Sequence, residues 1–178
     1  MKNEIEVKLP IRDPERLRER LRAAGATCEG SADEDNIVFD RGGELHARNE
    51  LLRLRRDRRV WLTWKGPASD ESCFKSRLEA QITVGDFDGC REILERLGYR
   101  PAVSYAKHRE VWEIDGVEEC LDRLAFGDFV EIEGAADRIQ SVAAKLGLDL
   151  TPAIPRNYVQ LQSDYQAGGL SFDRYADA

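Results

Sequence analysis

The sequence predicts an α+β fold in which antiparallel strands close into a β-barrel and helices pack outside it. Three observations predict this. Several strand-like segments carry a charged residue at every second position and apolar residues between, so each has one charged and one apolar face. Amphipathic helices follow some of these strands and need an apolar sheet face to cover. The charged faces then have to go somewhere: an open sheet would leave them wet, whereas a closed antiparallel barrel turns them inward as a polar tunnel.

Taken in order, Glu4-Ile5-Glu6-Val7-Lys8-Leu9 puts Glu4, Glu6 and Lys8 opposite Ile5, Val7 and Leu9. Asp13-Pro14 then reads as an N-cap followed by proline at the first helical position, with Leu17, Leu21 and Ala24 at helical spacing and Gly25 as a left-handed stop. Strands are expected at 51–55 and 59–65, where Arg53 and Arg55 oppose Leu52 and Leu54, and Trp61, Thr63 and Lys65 oppose Val60, Leu62 and Trp64. The basic residues Arg56 to Arg59 between them read as a solvated hairpin end, and Gly66-Pro67 ends the second strand. At 77–82, Lys75, Arg77, Glu79 and Gln81 line up opposite Phe74, Leu78 and Ile82. A helix after Asp86 carries Phe87, Cys90, Ile93, Leu94 and Leu97 and stops at Gly98. Strands at 103–113 and 118–123 meet at the Asp115-Gly116 turn; they carry Lys107, Arg109 and Glu113 on one, and Glu118, Cys120 and Asp122 on the other. The strand at 129–133 sets Glu131 and Glu133 against Val130 and Ile132, and a helix from about Ala135 runs through Ile139, Val142, Ala143 and Leu146 to Gly147. Tyr158, Leu161, Gln162 and Tyr165 fit a short last helix.

No low-complexity linker interrupts the chain, so a single domain over 1–178 is expected, its core at about 1–165 and a loose tail at 166–178. The net charge of −7 disfavours a general nucleic-acid binder. No apolar run approaches the roughly 18 residues of a membrane span, and Met1-Lys2-Asn3-Glu4 lacks the apolar start of a signal peptide, so a cytoplasmic protein without a membrane partner is expected. Cys28, Cys73, Cys90 and Cys120 form no Cys-x-x-Cys pair and only two histidines exist, which argues against zinc and for reduced, packing thiols.

A polar interior is costly unless its charges are paired or hold a ligand. Lys8, Arg53, Arg55, Lys65, Lys75, Arg77, Lys107 and Arg109 make a mostly cationic wall suited to phosphate oxygens. Glu4 and Glu6, with Asp122, Glu131 and Glu133, form two Glu-x-Glu pairs and an aspartate, a hard oxygen site for Mg²⁺ or Mn²⁺. A polyphosphate bridging cations and metal satisfies both groups.

The ordered set Glu4-x-Glu6-x-Lys8, Arg53-x-Arg55, Lys65, Arg77-x-Glu79, Lys107-x-Arg109, Asp122 and Glu131-x-Glu133 resembles the CYTH superfamily of triphosphate tunnel metalloenzymes, from about Glu4 to Tyr158. The stretch from Leu121 to Gly134 is most similar to its class IV adenylyl cyclase branch. The resemblance implies an eight-stranded barrel, one or two Mg²⁺ or Mn²⁺ ions among Glu4, Glu6, Asp122, Glu131 and Glu133, and a triphosphate gripped by Lys8, Arg53, Arg55, Lys65, Arg77, Lys107 and Arg109. It casts Glu79 as orienting a neighbouring arginine. Two positions depart from the family: Val38 stands where a tyrosine is common, and Gln81 where a third acidic residue often occurs. In triphosphatases of the superfamily that tyrosine pairs with the motif lysine, which helps to activate water.

Three activities follow as alternatives: a cyclase turning ATP into cyclic AMP and pyrophosphate, favoured by the local resemblance and by Val38; a hydrolase of inorganic tripolyphosphate or of an organic triphosphate such as thiamine triphosphate; and a non-catalytic polyphosphate or nucleotide sensor. Lys8, Arg55 and Arg109 are the candidate catalytic residues, with Lys8, held among cations, as general base through a lowered pKa. Trp61 is either a stacking surface for a purine or tunnel wall. His108 falls on the apolar-side face as a surface or helix contact. A homodimer is compatible with a small barrel, though no long apolar seam specifies one.

Overall fold

The computed structural model describes residues 1–69 and 74–168. Cys73 and most of the expected tail, from 169 onward, lie outside them. Eight strands form a closed barrel in the order β1-β5-β4-β3-β2-β6-β7-β8. They are β1 (Lys2–Ile11), β2 (Thr27–Asp40), β3 (Leu51–Arg56), β4 (Val60–Lys65), β5 (Lys75–Val84), β6 (Arg100–Ile114), β7 (Val117–Leu124) and β8 (Gly127–Glu133). The helices are α1 (Pro14–Ala23), α2 (Glu44–Ala47), α3 (Phe87–Arg96), α4 (Ala136–Leu146) and α5 (Tyr158–Gln166).

Local chemistry explains most boundaries. Asp13 caps α1 by accepting from the Arg16 amide, with Pro14 opening the helix. Asp86 caps α3 by accepting from Asp88 and Gly89. Asp115 and Gly116 both adopt positive φ, and Ile114 pairs with Val117, so β6 and β7 join through the expected two-residue turn. Gly147 at φ 65 ends α4. The short helix α2 and the strand β2 before Asn36 are additions to the expected elements; the amino half of β2, Thr27-Cys28-Glu29-Gly30-Ser31-Ala32-Asp33, has few residues that favour strands.

The chain divides into two compact units. Unit 1 comprises residues 1–4, 32–69 and 76–107, and unit 2, among the described residues, 5–31, 74–75 and 108–168. In unit 2, Val7, Leu9, Trp112, Ile114, Val117, Leu121, Val130 and Ile132 on the apolar strand faces pack with Leu17 and Leu21 of α1 and Ile139, Val142, Ala143 and Leu146 of α4. In unit 1, Phe39 and Leu54 pack with Leu94 of α3, flanked by Ile37, Leu52, Leu62 and Phe87. The apolar side of most strands is thus spent on the helices, whereas Leu78 and Ile82 of β5 stay exposed. The opposite faces hold the buried polar set, which includes Glu4, Glu6, Lys8, Glu34, Asn36, Thr63, Lys65, Lys75, Arg77, Lys107 and Asp122.

Candidate active site

The strand registers set the polar side chains in rows. In unit 1, Asn36 lies opposite Arg55 and Arg55 opposite Trp61, while Val38 lies opposite Arg53 and Arg53 opposite Thr63. Lys65 lies opposite Glu79, as two-residue periodicity requires. In unit 2, Glu6 lies opposite Glu133, Lys8 opposite Glu131, and Arg109 opposite Asp122.

Unit 1 is held by shared carboxylates. The Lys65 ammonium donates to both oxygens of Glu4 at 2.6 and 2.7 Å and stands 3.0 Å from Glu79. Arg77 approaches Glu4 at 3.8 Å. Glu79 therefore serves a lysine first; although burial works against it, Lys65 holds its carboxyl below the usual range. Glu34, which the sequence reading did not single out, takes Arg55 at 3.3 Å and Lys107 at 3.6 Å. Its signal was its spacing: it precedes Asn36 by two residues on the strand that opposes Arg53 and Arg55. Thr63 donates to the Gln81 carbonyl at 2.9 Å, so Gln81 supports the wall as a neutral partner. Arg55 also meets Asp57 at 3.1 Å, and the Trp61 indole donates to Asp57 at 3.2 Å.

Unit 2 is organised around Arg109. Its guanidinium donates to Asp122 through Nε at 2.7 Å and Nη2 at 2.5 Å, and also to Glu131. Burial opposes the charge, but Asp122, Cys120 and Glu131 raise the arginine pKa well above its ordinary value, so Arg109 is a fixed cation. Glu131 takes Lys8 at 3.1 Å, and Lys75 stands 3.5 Å from Glu6.

The surroundings of Lys8 differ from the expected cluster of cations: its close partners are the Glu131 carboxylate, the Arg156 carbonyl at 3.0 Å and the face of Tyr158 at 4.0 Å. An ammonium makes all three contacts well. Tyr158, the first residue of α5, was read as a helix residue and missed as a site residue. Its hydroxyl donates to Asp122 at 2.7 Å, and burial, with Asp122 and Glu131 nearby, raises its pKa well above the ordinary phenol value. An aromatic ring thus covers the motif lysine from α5, its hydroxyl bonded to Asp122, while Val38 fills the β2 position. The approach is fixed by the Ile154 amide, which donates to the Lys8 carbonyl at 2.8 Å, and by a capping box in which Asn157 and Gln160 bond reciprocally.

Among the described residues, no group of three or more His, Cys, Asp or Glu side chains is arranged to hold a metal ion. The donor chemistry nevertheless fits a divalent cation. Glu6 opposes Glu133, Glu133 opposes Glu118, and Glu118 opposes Glu113, so unit 2 carries a row of like charges across β1, β8, β7 and β6. Facing carboxylates repel, and a hard cation is the ligand that relieves them. No helix of the described residues is long and apolar enough to cross a membrane. Cys28, Cys90 and Cys120 are free thiols, and burial raises the Cys120 pKa.

In comparisons with known proteins, the CYTH domain matches residues 2–148. A Methanocaldococcus jannaschii protein named "Putative adenylate cyclase" is 29% identical over 135 residues, covering 73% of this chain and 75% of that protein. A conserved hypothetical protein from Pyrococcus furiosus superposes with a TM-score of 0.77 at 28% identity, covering 89% of this chain and 99% of that one. A Hippeastrum protein described as a "putative adenylyl cyclase" that "reveals a dominant" triphosphatase activity shares the fold, with a TM-score of 0.69 at 15% identity and coverage of 97% and 100%.

Proposed function

From the premise that the chain belongs to the CYTH domain family, we propose that it is a Mg²⁺- or Mn²⁺-dependent enzyme converting ATP to cyclic AMP and pyrophosphate. The observation that carries the reading is the partly buried, fixed Arg109 beside Asp122, Glu131 and Lys8, a cluster of preorganised charge. Lys8, Arg53, Arg55, Lys65, Arg77, Lys107 and Arg109 bind the triphosphate, their carboxylate contacts giving way to phosphate oxygens. Glu6 and Glu133, with Glu4, Asp122 and Glu131, are the residues that would hold the metal. A bound divalent ion supplies Lewis-acid neutralisation of phosphoryl charge. In the cyclase reaction the ribose 3′-oxygen attacks the α-phosphorus, its proton passes to a base, and pyrophosphate leaves; the wall cations hold the two ends in line.

Hydrolysis of the terminal phosphate is the second reading, and one observation favours it. Tyr158 sets its ring face against Lys8 and its hydroxyl on Asp122, so a tyrosine adjoins the motif lysine even though Val38 stands at the β2 position. Incubation with ATP and with tripolyphosphate, each with Mg²⁺ or Mn²⁺, separates the readings. Cyclic AMP and pyrophosphate from ATP support the first, free phosphate supports the second, and tight binding without turnover makes the protein a sensor. Replacing Lys8 with methionine tests its role: unchanged turnover would remove Lys8 from the mechanism.

A further inference from the structure

Among the described residues of the unit 1 wall, Asn36 has both side-chain polar atoms unsatisfied. It is 1% exposed, and neither its carboxamide oxygen nor its nitrogen has a hydrogen-bond partner. Val38, two residues along the same face of β2, has no polar atom, and Arg55, which lies opposite Asn36, is drawn to Glu34 together with Lys107. Burying an unpaired carboxamide is costly, because it gives up its hydrogen bonds to water and gains none. The same wall satisfies Thr63 by giving it Gln81.

The chemistry of the group narrows what could satisfy it. A carboxamide presents two donors and an acceptor on one edge. Phosphate oxygens only accept, so they would satisfy the nitrogen and leave the oxygen orphaned. A group offering a donor beside an acceptor, such as a nucleobase edge or a sugar hydroxyl, satisfies both; asparagine pairs with adenine in this bidentate way. The register adds a second feature. Asn36, Arg55 and Trp61 form one row across β2, β3 and β4, which sets the Asn36 and Trp61 backbones roughly 10 Å apart at two strand spacings. The Arg55 guanidinium lies 5.5 Å from that ring.

We propose that Asn36 is a specificity-determining contact that reads the non-phosphate part of an organic triphosphate, with Trp61 as the aromatic surface in the same row. This rests on the reading of the barrel as a triphosphate site. It commits that site to an organic triphosphate, a nucleoside triphosphate first, over inorganic tripolyphosphate. The row Asn36–Arg55–Trp61 then joins a base-reading edge and a stacking face to one phosphate-binding guanidinium.

The test compares Asn36→Ala and Asn36→Leu with the parent protein by calorimetric binding of ATP and of tripolyphosphate in Mg²⁺, together with the ligand-free melting temperature. The expected result is ATP binding weakened about tenfold or more, tripolyphosphate binding within about twofold of the parent, and a melting temperature unchanged or raised, because an orphaned polar group has been removed. Equal weakening for both ligands would overturn the proposal, since Asn36 would then be a phosphate contact. Lower melting temperatures in both variants with unaltered affinities would also overturn it, since the carboxamide would then be holding a buried water. If the parent binds neither ligand, the triphosphate reading itself fails; if it binds both and the variants do not discriminate, only the role of Asn36 does.

Discussion

Glu119 lies on the apolar face of β7, opposite Trp112 and Ile132, fully buried, with both carboxylate oxygens lacking a hydrogen-bond partner. The charges on the surrounding elements are spent elsewhere: Arg18 on Glu110, Arg22 against the Trp112 ring, Arg138 on the Asp115 carbonyl and Lys145 on Asp115. Burial alone pushes its pKa from 4.5 to about 7. The unfolded chain releases this proton near 4.5 and the folded chain near 7, so between these values the folded state binds more protons and stability falls as pH rises. The loss reaches ~3 kcal/mol above that window and vanishes below it. Glu119→Leu should therefore raise the melting temperature much more at pH 8 than at pH 4.5, and Glu119→Gln should flatten this part of the profile; parallel profiles for all three proteins would refute the assignment. The alternation that marks Lys8, Arg109, Asp122 and Glu131 was legible because a strand converts spacing into a shared face. Tyr158 was not, because its approach to Lys8 depends on the chain returning after α4, and no spacing within α5 encodes that return. Glu119 was hidden by its glutamate neighbour Glu118, since two adjacent acids look alike in sequence though the pleat sends them to opposite faces.

At the scale of elements, α1, α3 and α4 were readable because each carries its own cap or stop and one apolar stripe. The amino half of strand β2 was not readable, since Gly30 at φ 121 and the acidic run that follows offer little local preference for extension; the pairing of residues 35–39 with β3 places its carboxyl end. The last helix presents a different case. Its first residue, Tyr158, is both the packing anchor against Phe129 and the platform for Lys8. The Asn157 capping box is thus a local device with a distant consequence. Asn157→Ala should cost about 1 kcal/mol of stability but lower turnover more than that loss accounts for, because fraying begins at Tyr158. Tyr158→Phe keeps the ring and removes the bond to Asp122, so it should retain most substrate affinity while lowering kcat. Steady-state kinetics at a temperature where every variant is folded checks both, and an unchanged kcat in Tyr158→Phe would confine the hydroxyl to a structural role.

Among the described residues, cations on the polar strand faces are answered by carboxylates: Lys65 and Arg77 by Glu4, Lys75 by Glu6, Lys8 and Arg109 by Glu131. Sequence spacing made the inward turn of these groups legible but not their mutual pairing, which is decided by register and side-chain reach. Such pairing has a thermodynamic consequence. A triphosphate that takes the cations leaves carboxylates unanswered, and a divalent ion that takes the carboxylates leaves cations unanswered; either change alone strands buried charge at a cost of several kcal/mol. Together they exchange one satisfied network for another. Metal and triphosphate should therefore bind with positive coupling, each raising the affinity for the other by the same factor. In thermal melts, Mg²⁺ alone and tripolyphosphate alone should each shift the midpoint little, and the pair should shift it by more than the sum of the two. Glu133→Gln removes a carboxylate from the row that faces Glu6, so it should reduce the joint shift. Strictly additive shifts in the parent protein would mean that the carboxylates and cations do not exchange partners on binding.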